Sequence, residues 1–79
     1  MKPTSVENRI RELRFHAGEM TQQTLAEKVG VSRQTIVAIE KAKYSPTLEL
    51  AFQIAGVFGK EIGEVFSYAG ADESGRVGE

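Results

Sequence analysis

The stretch QQTLAEKVGVSRQTIVAIEK, residues 22–41, decides the fold. Thr21 directly before it and Ser32 within it are residue types that cap helix N-termini. Gly30 suits the left-handed position at which a helix ends. The spacing therefore predicts two helices joined by a turn of three to four residues.

The apolar positions of this stretch are those that such a helix pair needs in its interior. Ala26 lies where the two helices come closest, so a small side chain is required there. We expect five larger side chains to fill the wedge between the helices: Leu25, Val29, Val31, Ile36 and Ile39. The opposite face of the later helix then looks outward and carries Arg33, Gln34, Val37, Ala38 and Lys41.

A further helix is predicted before this pair. Val6, Ile10, Leu13 and Ala17 are spaced to share one stripe of an amphipathic helix. Thr4 or Ser5 would open this helix and Gly18 would end it.

Two more helices are predicted after the pair. Thr47 caps a fourth helix. We expect this helix to be the most buried element, because most of its residues are apolar, namely Leu48, Leu50, Ala51, Phe52, Ile54, Ala55, Val57 and Phe58. Gly56 costs this helix about 1 kcal/mol relative to alanine, which suggests that another helix approaches closely, from the same chain or a second subunit. Residues 61–66 predict a short fifth helix with Ile62, Val65 and Phe66 inward.

Together these elements predict an all-α bundle of five helices. With 79 residues, the chain has room for one modest core. We assign residues 1–69 to this domain and residues 70–79, which are acidic and rich in glycine, to a flexible tail.

Residues 8–68 resemble the Cro/cI-type helix-turn-helix family, the lambda-repressor-like regulators also called the XRE family. The resemblance is carried by NRIREL, by the helix pair, by SRQTIVAIEKAKYSP and by LELAFQIAGVFGKEIGEVF. It implies a compact five-helix DNA-binding bundle whose third helix lies in the DNA major groove.

The start of the third helix would read base edges with Ser32, Arg33 and Gln34. The Arg33 guanidinium suits guanine O6 and N7, and the Gln34 amide suits adenine N6 and N7. Val37 and Ala38, one turn later, would meet thymine methyl groups.

Other positions match family residues that contact phosphate or stabilise the fold. The resemblance implies phosphate contacts for Gln22 and Thr35. Lys41 and Lys43 would flank the groove and attract DNA in a salt-dependent way, although they would equally complement the helix C-terminus. The resemblance also implies a structural ion pair that links the first and third helices through Arg14 and Glu40.

Composition narrows the class of protein. The net charge of −1 divides into +3 for residues 1–60 and −4 for residues 61–79, so the body of the chain is mildly basic. There is no cysteine, His16 is the single histidine, and no glycine-rich phosphate loop is present, so we expect no metal, cofactor or enzymatic activity. No apolar stretch is typical of a signal peptide or a membrane span, so we expect a cytoplasmic location.

We therefore expect a transcriptional regulator that acts as a repressor and has no enzymatic activity. It would bind a palindromic operator in double-stranded DNA as a homodimer. The expected dimer surface combines the C-terminal part of the fourth helix with residues 64–68, including Val65, Phe66 and Tyr68. The alternative is a protein-interaction module, such as the antitoxin of a toxin–antitoxin pair, in which the acidic tail would bind a still unidentified protein partner. The two roles are compatible in one chain.

Overall fold

A computed structural model describes residues 4–69, so the predicted tail at residues 70–79 lies outside the described residues. The elements, in chain order, are β1 (Val6–Asn8), α1 (Ile10–His16), α2 (Gln22–Val29), α3 (Arg33–Glu40), α4 (Leu48–Val57), α5 (Ile62–Val65) and β2 (Phe66–Tyr68). The five predicted helices are confirmed, and two short strands are a minor addition to the all-α fold. The longest described helix, α4, has 10 residues, and no described helix qualifies as a candidate membrane span.

The turn between α2 and α3 has the geometry that its residues predict. The Thr21 hydroxyl accepts a hydrogen bond from the Thr24 backbone N–H at 2.9 Å, and the Ser32 hydroxyl accepts one from the Thr35 backbone N–H at 3.2 Å. Gly30 ends α2 with a φ of 76°, in the left-handed region that glycine tolerates best. Both predicted N-caps and the glycine C-cap are confirmed.

The first helix begins later than predicted, at Ile10 rather than near Thr4 or Ser5. Val6 lies in β1, which pairs antiparallel with β2 and places Glu7 opposite Ser67. The Asn8 side chain ends the strand, because its Oδ1 accepts a hydrogen bond from the Ile10 backbone N–H at 3.0 Å. The helical stripe was wrong at both ends, since Ala17 is also exposed.

The core lies among the five helices, each of which contributes buried residues. Its buried apolar residues are Ile10, Leu13, Leu25, Ala26, Ile36, Ile39, Leu50, Ala51, Ile54, Ala55 and Val65. Val29 and Val31 are partly buried against this cluster. The predicted wedge is therefore present, and it holds the inner face of α3 while the outer face stays in solvent.

The expectation that α4 is the most buried element was wrong for one of its faces. Leu48 is 69% exposed and Phe52 is 56% exposed. Leaving aside its chain neighbours and the backbone of its own helix, a Cβ built at Gly56 would meet no described atom within 4 Å, so no other described helix approaches this glycine. The helix is apolar around most of its circumference, and a domain of this size covers only one side of it.

Candidate nucleic-acid interface

The outer face of α3 presents the side chains that the sequence singled out. Ser32, Arg33 and Gln34 are exposed at its N-terminal end. Thr35, Val37 and Ala38 are partly buried along the same helix. The Ser32 and Thr35 hydroxyl oxygens lie 3.0 Å apart and hydrogen-bond to each other. The exposed end of α3 is thus rigidly capped while its two longest polar side chains remain in solvent.

A cleft of about 590 Å³ lies on the α1 and α2 side of α3. We call it the basic cleft, and its lining residues are Arg11, Arg14, Thr21, Gln22, Gln23, Arg33, Glu40 and Lys41. The N-terminus of α2 opens onto it, which adds backbone N–H groups and the positive end of the helix dipole.

Arg14 and Glu40 form the base of this cleft. Arg14 Nε donates to Glu40 Oε2 at 2.7 Å, and Arg14 Nη2 donates to Glu40 Oε1 at 3.1 Å. Arg14 Nη1 donates to the Met20 backbone carbonyl at 2.8 Å, and Gln22 Nε2 donates to Glu40 Oε1 at 3.2 Å. The two charged side chains are only 14% and 9% exposed. This network joins α1, the α1–α2 connection, α2 and α3.

The remaining charge of the basic cleft is positive. Glu40 neutralises Arg14, and in the described part of the chain no carboxylate lies within 4 Å of the cations of Arg11, Arg33 or Lys41. Arg9 differs because its guanidinium lies 3.3 Å from Glu12, and this hydrogen-bonded contact lowers the pKa of the Glu12 carboxyl.

Sequence reasoning did not single out Arg11. It precedes Arg14 by three residues, and side chains spaced three apart lie on the same face of a helix. That spacing was the signal that could have placed Arg11 in the basic cleft.

A second cleft, of about 530 Å³, lies on the other side of α3. We call it the loop cleft, and it is lined by Ser32, Gln34, Thr35, Ala38, Lys43 and Tyr44. The connection to α4 begins at the end of α3, where the Lys43 backbone N–H donates to the Ala38 carbonyl at 3.0 Å, and Lys43 and Tyr44 line this cleft together with Ser32 at the start of α3. Tyr44 is the residue of this cleft that the sequence analysis missed.

The structure brings the predicted DNA contacts together around α3. Three of the nine line the basic cleft, namely Gln22, Arg33 and Lys41. Five line the loop cleft, namely Ser32, Gln34, Thr35, Ala38 and Lys43. Val37 lies on α3 and lines neither cleft, and the Gln22 amide already donates to Glu40.

The residues expected at a dimer surface lie elsewhere. Val65 is buried in the core, so its side chain has no surface to offer to a second subunit. Phe66 is partly buried against the core, and Tyr68 is 60% exposed. Within residues 4–69, no group of three or more histidine, cysteine, aspartate or glutamate side chains is arranged to hold a metal ion.

A family model described as helix-turn-helix matches residues 10–65, from the first residue of α1 to the last residue of α5. The chain belongs to the helix-turn-helix family. The resemblance seen in the sequence is thereby confirmed, and the matched residues include both helices that flank the Gly30 turn.

Several members of this family are similar in sequence. An uncharacterized HTH-type transcriptional regulator of Methanocaldococcus jannaschii is 61% identical over 49 residues, which cover 62% of this chain and 74% of that protein. Another, from Archaeoglobus fulgidus, is 55% identical over 60 residues, which cover 76% of this chain and 84% of the relative. The transcriptional repressor RstR of a cryptic CTXphi phage of Vibrio cholerae is 35% identical over 60 residues. These residues cover 76% of this chain and 53% of RstR.

A solved structure of a Bacteroides fragilis protein has the same fold. It superposes with a TM-score of 0.68 at 24% identity and covers 78% of this chain and 98% of its own. At this identity, the likeness supports the fold alone.

Removing one side of the ion pair tests its structural role. We expect Arg14→Ala to lower the free energy of unfolding by about 3 kcal/mol, because Glu40 would remain largely buried without a charged partner. The double variant Arg14→Met with Glu40→Leu should recover much of this loss, because no buried charge remains. Urea denaturation measures both, and equal losses for the single and double variants would contradict the assignment.

Proposed function

We propose that this protein is a transcriptional regulator that binds double-stranded operator DNA in a sequence-specific manner and represses transcription. It acts by binding rather than by catalysis. The observation that carries the proposal is the exposed N-terminal end of α3 between two clefts that both contain cations.

The dimensions of DNA support this use of α3. A major groove about 12 Å wide admits one α-helix, and a sugar–phosphate backbone borders it on each side. With α3 in the groove, the basic cleft would face one backbone with Arg11 and Lys41. The loop cleft would face the other backbone with Lys43. Cations on both sides of a helix suit this arrangement of phosphates.

The exposed end of α3 supplies the base contacts in this proposal. Arg33 and Gln34 are exposed, and their side chains make no hydrogen bond within the described residues. Arg33 suits guanine and Gln34 suits adenine. Ala38 and Val37 follow one turn later, where they would contact thymine methyl groups.

We further propose that the protein binds its operator as a homodimer. One recognition helix reads few base pairs, whereas two related by a two-fold axis read half-sites about 34 Å apart. We place the dimer contact at Phe66 and Tyr68, because Tyr68 is exposed and β2 has only one strand partner in the described chain. The resemblance to RstR, which is named as a repressor, supports repression as the outcome.

Selection from a random pool of DNA duplexes tests the proposed function. We expect the purified full chain to enrich an inverted repeat, because a symmetric dimer reads two equivalent half-sites. Retention without an enriched motif, or no retention, would contradict sequence-specific binding. That result would favour the protein-interaction module instead.

Substitutions on α3 and beyond it should separate base reading from phosphate attraction. Arg33→Ala should cost roughly 1 to 3 kcal/mol on the enriched sequence and relax the preference at one base pair. Lys43→Ala should weaken binding to all sequences alike and reduce the slope of log affinity against log salt by about one. Titrations of enriched and random duplexes measure both effects, and identical behaviour of the two variants would contradict this division.

The dimer contact is tested by two matched substitutions of exposed aromatic residues. We expect Tyr68→Ser to shift sedimentation at micromolar concentration toward the monomer, because it removes apolar area at the proposed contact. Phe52→Ser, on the exposed face of α4, is the control and should leave the dimer intact. The reverse result would move the contact to α4, and a wild-type monomer both free and on DNA would exclude the dimer.

A further inference from the structure

We propose that Tyr44 is a DNA-backbone contact, whose hydroxyl donates a hydrogen bond to a phosphate while its ring packs against the adjoining deoxyribose. The proposal rests on the proposed function and deepens it. It adds a second neutral backbone contact to the side of the groove where the sequence analysis expected Thr35 and Lys43.

Backbone hydrogen bonds attach the two residues before Tyr44 to the C-terminal end of α3. The Ala42 backbone N–H donates to the Ile39 carbonyl at 3.0 Å, and the Lys43 backbone N–H donates to the Ala38 carbonyl at the same distance. Ala42 itself has a φ of 58°, a left-handed conformation that disfavours alanine. This conformation ends α3, and the next two residues, Lys43 and Tyr44, line the loop cleft together with Ser32 at the other end of the helix.

The side chain of Tyr44 is partly exposed to solvent. It is 42% exposed, and it lines both the loop cleft and a neighbouring cleft whose lining includes Gln53 on α4. Thr35 on α3 lines the same two clefts, which places Tyr44 and α3 where the clefts adjoin. The Tyr44 hydroxyl makes no hydrogen bond within the described residues. A tyrosine held in this way offers a donor at low entropic cost, because only two torsions need to be fixed.

The chemistry of the loop cleft selects an anionic occupant. Its polar lining consists of three hydroxyls, one amide and the Lys43 ammonium, and no carboxylate lines it. The basic cleft, by contrast, includes Glu40. A phosphodiester is an anion with an apolar sugar attached, so it would use the donors and the aromatic ring of this cleft together.

Binding titrations with two Tyr44 variants test the contact. Tyr44→Phe should weaken binding about three- to tenfold, the usual effect of one hydrogen bond, and Tyr44→Ala should weaken it further because the ring contact is lost as well. Both losses should be the same on enriched and random duplexes, since a backbone contact carries no base preference. The salt slope should not change, because a neutral hydroxyl releases no counterion. Lys43→Ala is the comparison, because loss of its cation should reduce the slope of log affinity against log salt by about one.

A matched control separates the loop cleft from the neighbouring one. Gln53→Ala removes a polar side chain that lines only the neighbouring cleft, and it should leave the affinity for both duplexes within twofold of wild type. A loss with Gln53→Ala equal to that with Tyr44→Phe would overturn the assignment to the loop cleft. Circular dichroism of each variant should match wild type, which shows that an affinity loss is not a loss of fold.

Tyrosine resonances give a direct readout. The chain has two tyrosines, so protein labelled with ring-¹³C tyrosine shows two sets of ring signals, and Tyr44→Phe identifies which set belongs to Tyr44. That set should shift when the random duplex is added. If the wild type binds DNA but the Tyr44 signals stay in place and Tyr44→Phe binds as wild type does, the contact is overturned and the proposed function stands. If the wild type binds neither duplex, both proposals are overturned.

Discussion

The contact between Arg14 and Glu40 determines where α3 sits relative to the rest of the domain. Apolar packing alone allows a helix to slide or rotate by small amounts, because dispersion contacts have little direction. A bidentate ion pair fixes both angle and register. Arg14 also holds the Met20 carbonyl, and Glu40 accepts from Gln22, so the start of α2 is bound to the end of α3. The orientation of both helices of the motif therefore depends on two charged side chains.

That fixed orientation makes a division of roles possible around α3. The ion pair neutralises Arg14, which leaves the positive charge of the basic cleft to side chains with no carboxylate partner, Arg11, Arg33 and Lys41. In the proposed complex, the cations at the sides of the groove supply affinity that depends on salt, and the exposed end of α3 supplies base preference. In that complex, the ion pair would keep these contributions separate by opposing a tilt of α3 from one backbone toward the other.

The parts of the fold that could be predicted from the sequence depend on local chemistry. The caps at Thr21 and Ser32 and the glycine turn are each specified within a few residues, and all were correct. The helical interpretation of Val6 failed because β1 exists only through pairing with residues some sixty positions later. Tyr44 was missed because its place beside α3 depends on the left-handed backbone conformation of Ala42. Alanine in a sequence does not indicate such a conformation. Arg14 and Glu40 were paired through family resemblance, since their spacing alone does not indicate contact.

The short two-stranded ribbon, which the sequence analysis did not predict, connects α3 to β2. Asn8 Nδ2 donates to the Ile39 carbonyl at 2.8 Å, and the Thr4 backbone N–H donates to the Ala42 carbonyl at 2.9 Å, so β1 is attached to the C-terminal end of α3. β1 in turn pairs with β2, which carries Phe66 and Tyr68. In the proposed dimer, the subunit contact would thus lie two hydrogen-bonded steps from the recognition helix. The geometry at β2 would then set the spacing of the two recognition helices, and with it the operators that one dimer can span.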